Sequence, residues 1–204
     1  MNRGFYFDQS RCTGCHACVI ACKDWHECEL GTEPENWIKV ISVERGKYPD
    51  LSVTHFARQC YHCVEAPCAR ACPADAIIKR KEDGIVVVDR DLCLGRDCML
   101  CQEACPYSAR FINPKTWVAD KCTWCYHRVV KGLKPACVTV CPVGARQFGK
   151  VHDYNDPVGK LIKEAAMQNT ASKLGGMLMK PSLKKLSNKL DYSYYGGAPF
   201  LGLK

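Results

Sequence analysis

The chain has 204 residues, 47% of them hydrophobic, with a mean hydropathy of −0.22, which suits one compact domain or two small fused halves. Seventeen cysteines, about 8% of the chain, demand a chemical explanation. An odd count in a chain of this length, with no leader to send it into an oxidising compartment, argues against a disulfide scaffold.

The formal net charge is +8, from 29 basic and 21 acidic residues. A basic chain raises the question of nucleic acid, but negatively charged cofactors held by the cysteines would lower that balance, and a scattered basic surface also suits a protein partner. No nucleic-acid partner is expected. No apolar run approaches the ~20 residues of a membrane span, so no transmembrane segment is expected. Residues 1–8 have neither a long apolar core nor a small-residue cleavage site. The expected location is therefore cytoplasmic, or exported only with a signal-bearing partner.

Taken in order, Gly4-Phe5-Tyr6-Phe7 reads as a short strand before the first cysteine group, Cys12-x2-Cys15-x2-Cys18-x3-Cys22. Cys28 falls outside the pattern and reads as a buried thiol. Trp37 to Val43 alternates weakly, as a strand would. The second group is Cys60-x2-Cys63-x4-Cys68-x3-Cys72-Pro73. Ala76 to Lys79 and Gly84 to Val88 then read as a hairpin around the polar turn Arg80-Lys81-Glu82-Asp83. The third group is Cys93-x4-Cys98-x2-Cys101-x3-Cys105-Pro106, and the fourth is Cys122-x2-Cys125-x11-Cys137-x3-Cys141-Pro142. Arg146-Gln147-Phe148 reads as a strand after the last group. Asp156 and Pro157 suit the start of a helix with Val158, Leu161, Ile162 and Ala165 on one face. Residues 151–204 hold eight lysines, no arginine and four acids, and end in an aromatic, turn-rich stretch over 192–201.

The spacing carries the chemistry. A cubane needs four thiolates at tetrahedral corners, and two-residue spacers let a tight loop supply three. A fourth cysteine three residues later lies one helical turn away; in two-cluster ferredoxins it ligates the other cluster. The proline beside it fixes the backbone and offers no competing N–H. Soft thiolates select iron–sulfur clusters, no oxygen-rich or histidine-rich constellation competes, and the spacing is not that of paired zinc knuckles. The four related groups form a degenerate internal repeat. His16, His62 and His127 lie within or beside the groups and read as solvent-facing or hydrogen-bonded residues. Lys79, Arg80, Lys81 and Arg110 read as solvated surface, and Trp124 as a shield for its cluster. No Ser-His-Asp arrangement, phosphate loop or dinucleotide fingerprint marks a catalytic site.

The four groups, together with Cys12-Thr13-Gly14-Cys15-His16-Ala17-Cys18-Val19-Ile20-Ala21-Cys22-Lys23-Asp24-Trp25 and Lys121-Cys122-Thr123-Trp124-Cys125-Tyr126, resemble the four-cluster electron-transfer subunits of the dimethyl sulfoxide reductase family. Polysulfide reductase and formate dehydrogenase have similar subunits, and so do tungsten aldehyde oxidoreductases and related benzoyl-CoA reductases. The resemblance covers residues 5–150. It implies an α+β fold of tandem, pseudo-twofold ferredoxin-like modules over residues 1–150, holding four [4Fe–4S] clusters; outside the resemblance, residues 151–204 read from their own pattern as a C-terminal helix and a docking arm.

It also implies crossed ligation. Cys12, Cys15, Cys18 and Cys141 would hold one cluster, and Cys22, Cys122, Cys125 and Cys137 a second. Cys60, Cys63, Cys68 and Cys105 would hold a third, and Cys72, Cys93, Cys98 and Cys101 a fourth. The four-residue spacer Leu94-Gly95-Arg96-Asp97 departs from the usual two, and residues 171–204 have no evident counterpart. The implied function is non-catalytic electron relay between a molybdenum- or tungsten-pterin catalytic subunit and an external donor or acceptor, either a membrane anchor or a soluble redox partner. A free-standing polyferredoxin that diffuses between partners is the alternative.

Overall fold

The computed structural model describes residues 3–28, 36–167, 172–174 and 177–180, without side chains beyond residue 164. The aromatic stretch 192–201, expected as a docking arm, lies outside the described residues. Strand β1 (Arg3–Asp8) runs between β8 (Arg146–Lys150), antiparallel to it, and β10 (Met177–Lys180), parallel to it, and β9 (Ser172–Leu174) closes the far edge. β9 and β10 thus belong to the chain's own sheet.

β1 is buried on both faces because its side chains alternate between two layers. Phe5 and Phe7 point into the main core, where Phe5 meets Trp124 and Phe148 edge-on at 5.5 and 4.9 Å. Tyr6 faces the other way, onto Val158, Leu161 and Ile162 of helix α6 (Pro157–Met167). Asp156 caps that helix: its side chain accepts from the Val158 N–H at 2.9 Å.

The other strands form three separate hairpins. β2 (Lys39–Arg45) pairs with β3 (Ser52–Arg58). This strand starts two residues later than the alternation suggests, because Trp37 and Ile38 are buried ahead of it. β4 (Ile77–Lys79) pairs with β5 (Val86–Val88) around the expected polar turn. β6 (Phe111–Ile112) and β7 (Ala119–Asp120) make a third, minimal hairpin. Between the strands lie short helices: α1 (Ala17–Trp25), α2 (Pro67–Arg70), α3 (Leu100–Glu103), α4 (Tyr126–Val129) and α5 (Ala136–Thr139). α1 packs on α5 and α2 on α3, which brings the first group to the fourth and the second to the third. Among the described residues, no helix is long and apolar enough to cross a membrane.

Candidate metal centres

One local device recurs four times. Cys18, Cys68, Cys101 and Cys137 are each the second residue of a helix, α1, α2, α3 and α5 respectively. Cys22, Cys72, Cys105 and Cys141 each follow four residues later. In α1 the two positions lie on one helical face, a turn apart, whereas Cys72, Cys105 and Cys141 fall just past the ends of α2, α3 and α5. With the helices packed in pairs, each last cysteine reaches across to the partner group.

The thiols ring cavities. Cys12, Cys15, Cys18 and Cys141 line one, of about 350 Å³ including its open mouth, with Phe7 and Val40 among its apolar walls. Cys60, Cys63, Cys68 and Cys105 line a second, of about 340 Å³. Cys72, Cys93, Cys98 and Cys101 line a third, of about 310 Å³. Cys22 feels the thiols of Cys122, Cys137 and Cys125 most, ahead of Cys28, in keeping with a fourth set of Cys22, Cys122, Cys125 and Cys137. No cysteine is joined to another in a disulfide. Among the described residues, no three His, Cys, Asp or Glu side chains stand close enough to hold a single metal ion.

The backbone of each loop is turned toward its sulfurs. Two residues after the first cysteine of every group the chain is left-handed, at Gly14, His62, Gly95 and Trp124 (φ 70, 47, 69 and 54°). The Trp124 N–H contacts the Cys122 sulfur at 3.4 Å. A second recurring turn follows the three Cys-Pro pairs. The N–H groups of Asp75, Ser108 and Gly144 donate to the carbonyls of Cys72, Cys105 and Cys141 at 3.4, 3.1 and 3.2 Å, all with positive φ. An alanine comes next each time, Ala76, Ala109 and Ala145, and the Ala109 N–H contacts the Cys105 sulfur at 3.4 Å. This Cys-Pro-x-x-Ala repeat is visible in the sequence, although the cysteine spacing alone does not reveal it.

Burial pushes the thiols up, and neighbouring thiols add to it. Cys18, Cys63 and Cys125 rise to about 11, and Cys12, Cys22, Cys101, Cys105 and Cys122 also rise. Crowded buried thiols stay protonated until a cation stabilises their thiolates. A metal centre bound by four such cysteines supplies that cation, so the donor set, the cavities and the sulfur-directed N–H groups fit an iron–sulfur cluster.

The longer spacer of the third group is taken up locally. Gly95–Asp97 forms a 3-10 turn, and the Arg96 guanidinium lies over the Trp117 ring at 4.7 Å. A Cβ at Gly95 would come within 2.4 Å of the Trp117 carbonyl oxygen. The insertion reshapes the loop, yet Cys93 and Cys98 still line the same cavity.

Several side chains differ from their expected settings. Arg110 is 4% exposed, not solvated, because the turn after Cys105 leads it inward into β6. Lys79 is half-buried, donating to the carbonyls of Cys63, at 2.8 Å, and Val64. Arg80 pairs with Asp83 at 3.2 Å, and Lys81 is exposed. Buried Arg146 and Lys121 carry no such expectation, since cation type alone does not signal burial. Cys28 is half-buried, with its sulfur 3.8 Å from the His26 carbonyl oxygen. His62 is fully buried; its Nδ1 accepts from the Val86 N–H at 2.8 Å, which leaves Nε2–H to donate to the Cys122 carbonyl at 3.0 Å. His127 accepts from the Trp25 indole N–H at 2.6 Å, and His16 is exposed. His26, which sequence reasoning passed over, places Nε2 3.3 Å from the Cys125 sulfur. Trp124 is 1% exposed.

Tandem loop-and-helix modules with four cysteines per group define a ferredoxin-like iron–sulfur protein of mixed helix and strand. Two models described as a 4Fe-4S dicluster domain match residues 11–76 and 51–151, and one described as a fatty acid synthesis protein matches residues 151–204. The chain is 38% identical to the B subunit of sulfite dehydrogenase from Allochromatium vinosum, over 77% of this chain and 72% of that one. It is 37% identical to protein NrfC of Escherichia coli, over 91% and 81%. It is 40% identical to the B subunit of tetrathionate reductase from Salmonella typhimurium, over 77% and 61%. The chain belongs to the family of iron–sulfur B subunits found in dimethyl sulfoxide reductase and related enzymes, and is an electron-transfer protein, not a catalytic one. The match to NrfC is too long to stop at Thr170, so residues beyond it do have a counterpart among relatives.

Proposed function

We propose that the chain relays single electrons through four [4Fe–4S] clusters, held by Cys12, Cys15, Cys18 and Cys141; by Cys22, Cys122, Cys125 and Cys137; by Cys60, Cys63, Cys68 and Cys105; and by Cys72, Cys93, Cys98 and Cys101. The observation that carries this reading is that Cys141, at the far end of the domain in sequence, lines the cavity of Cys12, Cys15 and Cys18. The matching exchange between the second and third groups, and the helix pairs α1/α5 and α2/α3, support a pseudo-twofold arrangement of two modules. When bound, a [4Fe–4S] cluster takes up and gives back one electron. The chain's own contribution is to bury the thiolates, to aim N–H groups at their sulfurs and to exclude water from the cavity walls.

The relay ends on a molybdenum- or tungsten-pterin catalytic subunit and, at its other end, on a membrane anchor or soluble redox protein. The relatives' names support a catalytic partner, since they are lettered subunits of a sulfite dehydrogenase and a tetrathionate reductase, and the molybdenum- or tungsten-pterin follows from the resemblance. Residues 192–201 serve as the docking arm in this reading: ordering five large apolar or aromatic side chains in a turn-rich stretch costs conformational entropy that a partner surface offsets. The protein works in the cytoplasm, or beyond it when carried out by a signal-bearing partner.

Native co-purification with metal analysis tests the proposal. Molybdenum or tungsten should co-elute with the chain's iron, and substrate of the complex should reduce or oxidise the clusters. A stable iron-loaded monomer with no such partner would favour the diffusible polyferredoxin.

A further inference from the structure

Each of the two proposed cluster pairs encloses a buried arginine at the same place in its sequence module. Arg110 and Arg146 both stand five residues after a last-position cysteine, directly after the alanine of the Cys-Pro-x-x-Ala turn. Both are nearly inaccessible, at 4% and 3% exposure. None of the three Arg110 guanidinium nitrogens meets a hydrogen-bonding oxygen or nitrogen among the described residues. Arg110 lines the cavity of Cys60, Cys63, Cys68 and Cys105, and the thiols that act on it most are those of Cys68, Cys60, Cys101 and Cys105, so it faces the sets of Cys60 and of Cys72 at once. Arg146 repeats the arrangement in the other pair. It lines the cavity of Cys12, Cys15, Cys18 and Cys141, and its Nη2 lies 3.6 Å from the Cys137 sulfur of the other set. Nη2 also donates to Gln59 Oε1 at 2.8 Å, but Nε and Nη1 meet no partner among the described residues.

A buried guanidinium left unpaired is costly, so an anion must stand opposite it. Among the described residues, no carboxylate does so in either place. Lys121 is equally buried and also near the thiols of Cys60, Cys122 and Cys68, but it differs in being satisfied: its ammonium donates to the carbonyls of Val86 and Cys122. Of these three cations, only the arginines direct unsatisfied N–H groups at cysteine sets. After Cys72 the equivalent position is Ile77, so the second and third groups share one such cation between them, as do the first and fourth.

We propose that Arg146 and Arg110 are fixed tuning cations, each lodged between the two clusters of one pair and raising the reduction potential of both. This rests on the four-cluster reading. Electrons are added to a net-negative centre on reduction, and a permanent positive charge in a low-dielectric setting favours the more negative form. Arginine suits the role because it does not lose its proton in proteins. The modular placement makes the effect local: one arginine serves one pair.

The test is redox titration followed by electron paramagnetic resonance on the intact complex, with Arg146→Gln, Arg110→Gln and the corresponding lysine substitutions. Arg146→Gln should lower the potentials of the clusters on Cys12/15/18/141 and Cys22/122/125/137. The expected change is at least tenfold in the reduced-to-oxidised ratio at fixed potential, about 59 mV for one electron, with the other pair unmoved. Arg110→Gln should do the converse, and the lysine variants should recover most of each shift. If a glutamine variant loses iron, the loss should fall on its own pair and leave about half of the wild-type content. Unmoved potentials, equal shifts in both pairs, lysine variants as displaced as glutamine ones, or iron lost from both pairs would each overturn the proposal. The wild type's iron content tests the four-cluster reading separately.

Discussion

The indole N–H of Trp124 donates to the carbonyl oxygen of Cys60 at 3.1 Å, across 64 residues of sequence. This bond joins the fourth cysteine group to the second, and so ties one packed pair of cysteine groups to the other. The ring is also packed between Phe5, Phe148 and His62, at centroid distances of 5.5, 5.7 and 4.3 Å. Trp124 therefore acts as a structural pin between modules.

Removing that pin should separate packing from hydrogen bonding. Trp124→Ala should cost about 3–5 kcal/mol through the cavity it leaves. Trp124→Phe retains a ring, and the lost bond to Cys60 itself accounts for about 1 kcal/mol. Thermal bleaching of the clusters reads both. Equal losses for the two variants would show that the ring does not carry the packing.

Cys141→Ser should disturb the cluster built on Cys12, Cys15 and Cys18, because the four thiols share a cavity. Electron paramagnetic resonance of the reduced protein, compared with Cys12→Ser, should show the same signal altered in both variants. A change confined to the cluster of Cys122 and Cys125 would contradict the crossing.

Gly95→Ala should be costly for its size. The position needs φ of +69°, worth roughly 1–2 kcal/mol for an L side chain, and the new methyl would meet the Trp117 carbonyl. The expected outcome is loss of about one quarter of the iron, from the set that includes Cys93 and Cys98. Full iron content with unchanged thermal stability would show that the longer loop gives way freely.

Truncation after Thr170 removes β9 and β10 and leaves β1 with an open edge along Phe5–Asp8. Truncation after Lys180 keeps that pairing and removes only the proposed docking arm. The shorter protein should unfold at lower temperature with its iron retained, and the longer one should keep its stability but dock less tightly on the catalytic subunit. Identical behaviour of the two would remove the distinction between sheet and arm.

Much of this was legible in the sequence because cysteine spacing is a geometric statement. Three thiols on a tight loop and a fourth one turn later prescribe the loop, the helix start and the reach to a partner group, and the Ile77–Val88 hairpin and the Asp156 cap follow local rules equally well. Other features depend on tertiary context that no local pattern encodes. The Ser52–Arg58 strand has no clean alternation, and β6 and β7 are two residues each, below any periodic signal. Arg110 looks like any surface cation until the turn at Ser108 leads it inward. A partner for the proposed arm is not encoded locally either, since aromatic content suggests an interface without saying with what.

Iron and acid-labile sulfide, counted with zinc on anaerobically purified protein, test the central claim most directly. Four cubanes predict about sixteen iron and about sixteen sulfide per chain, with zinc absent. About four metal ions per chain, zinc in place of iron and no sulfide would contradict the account.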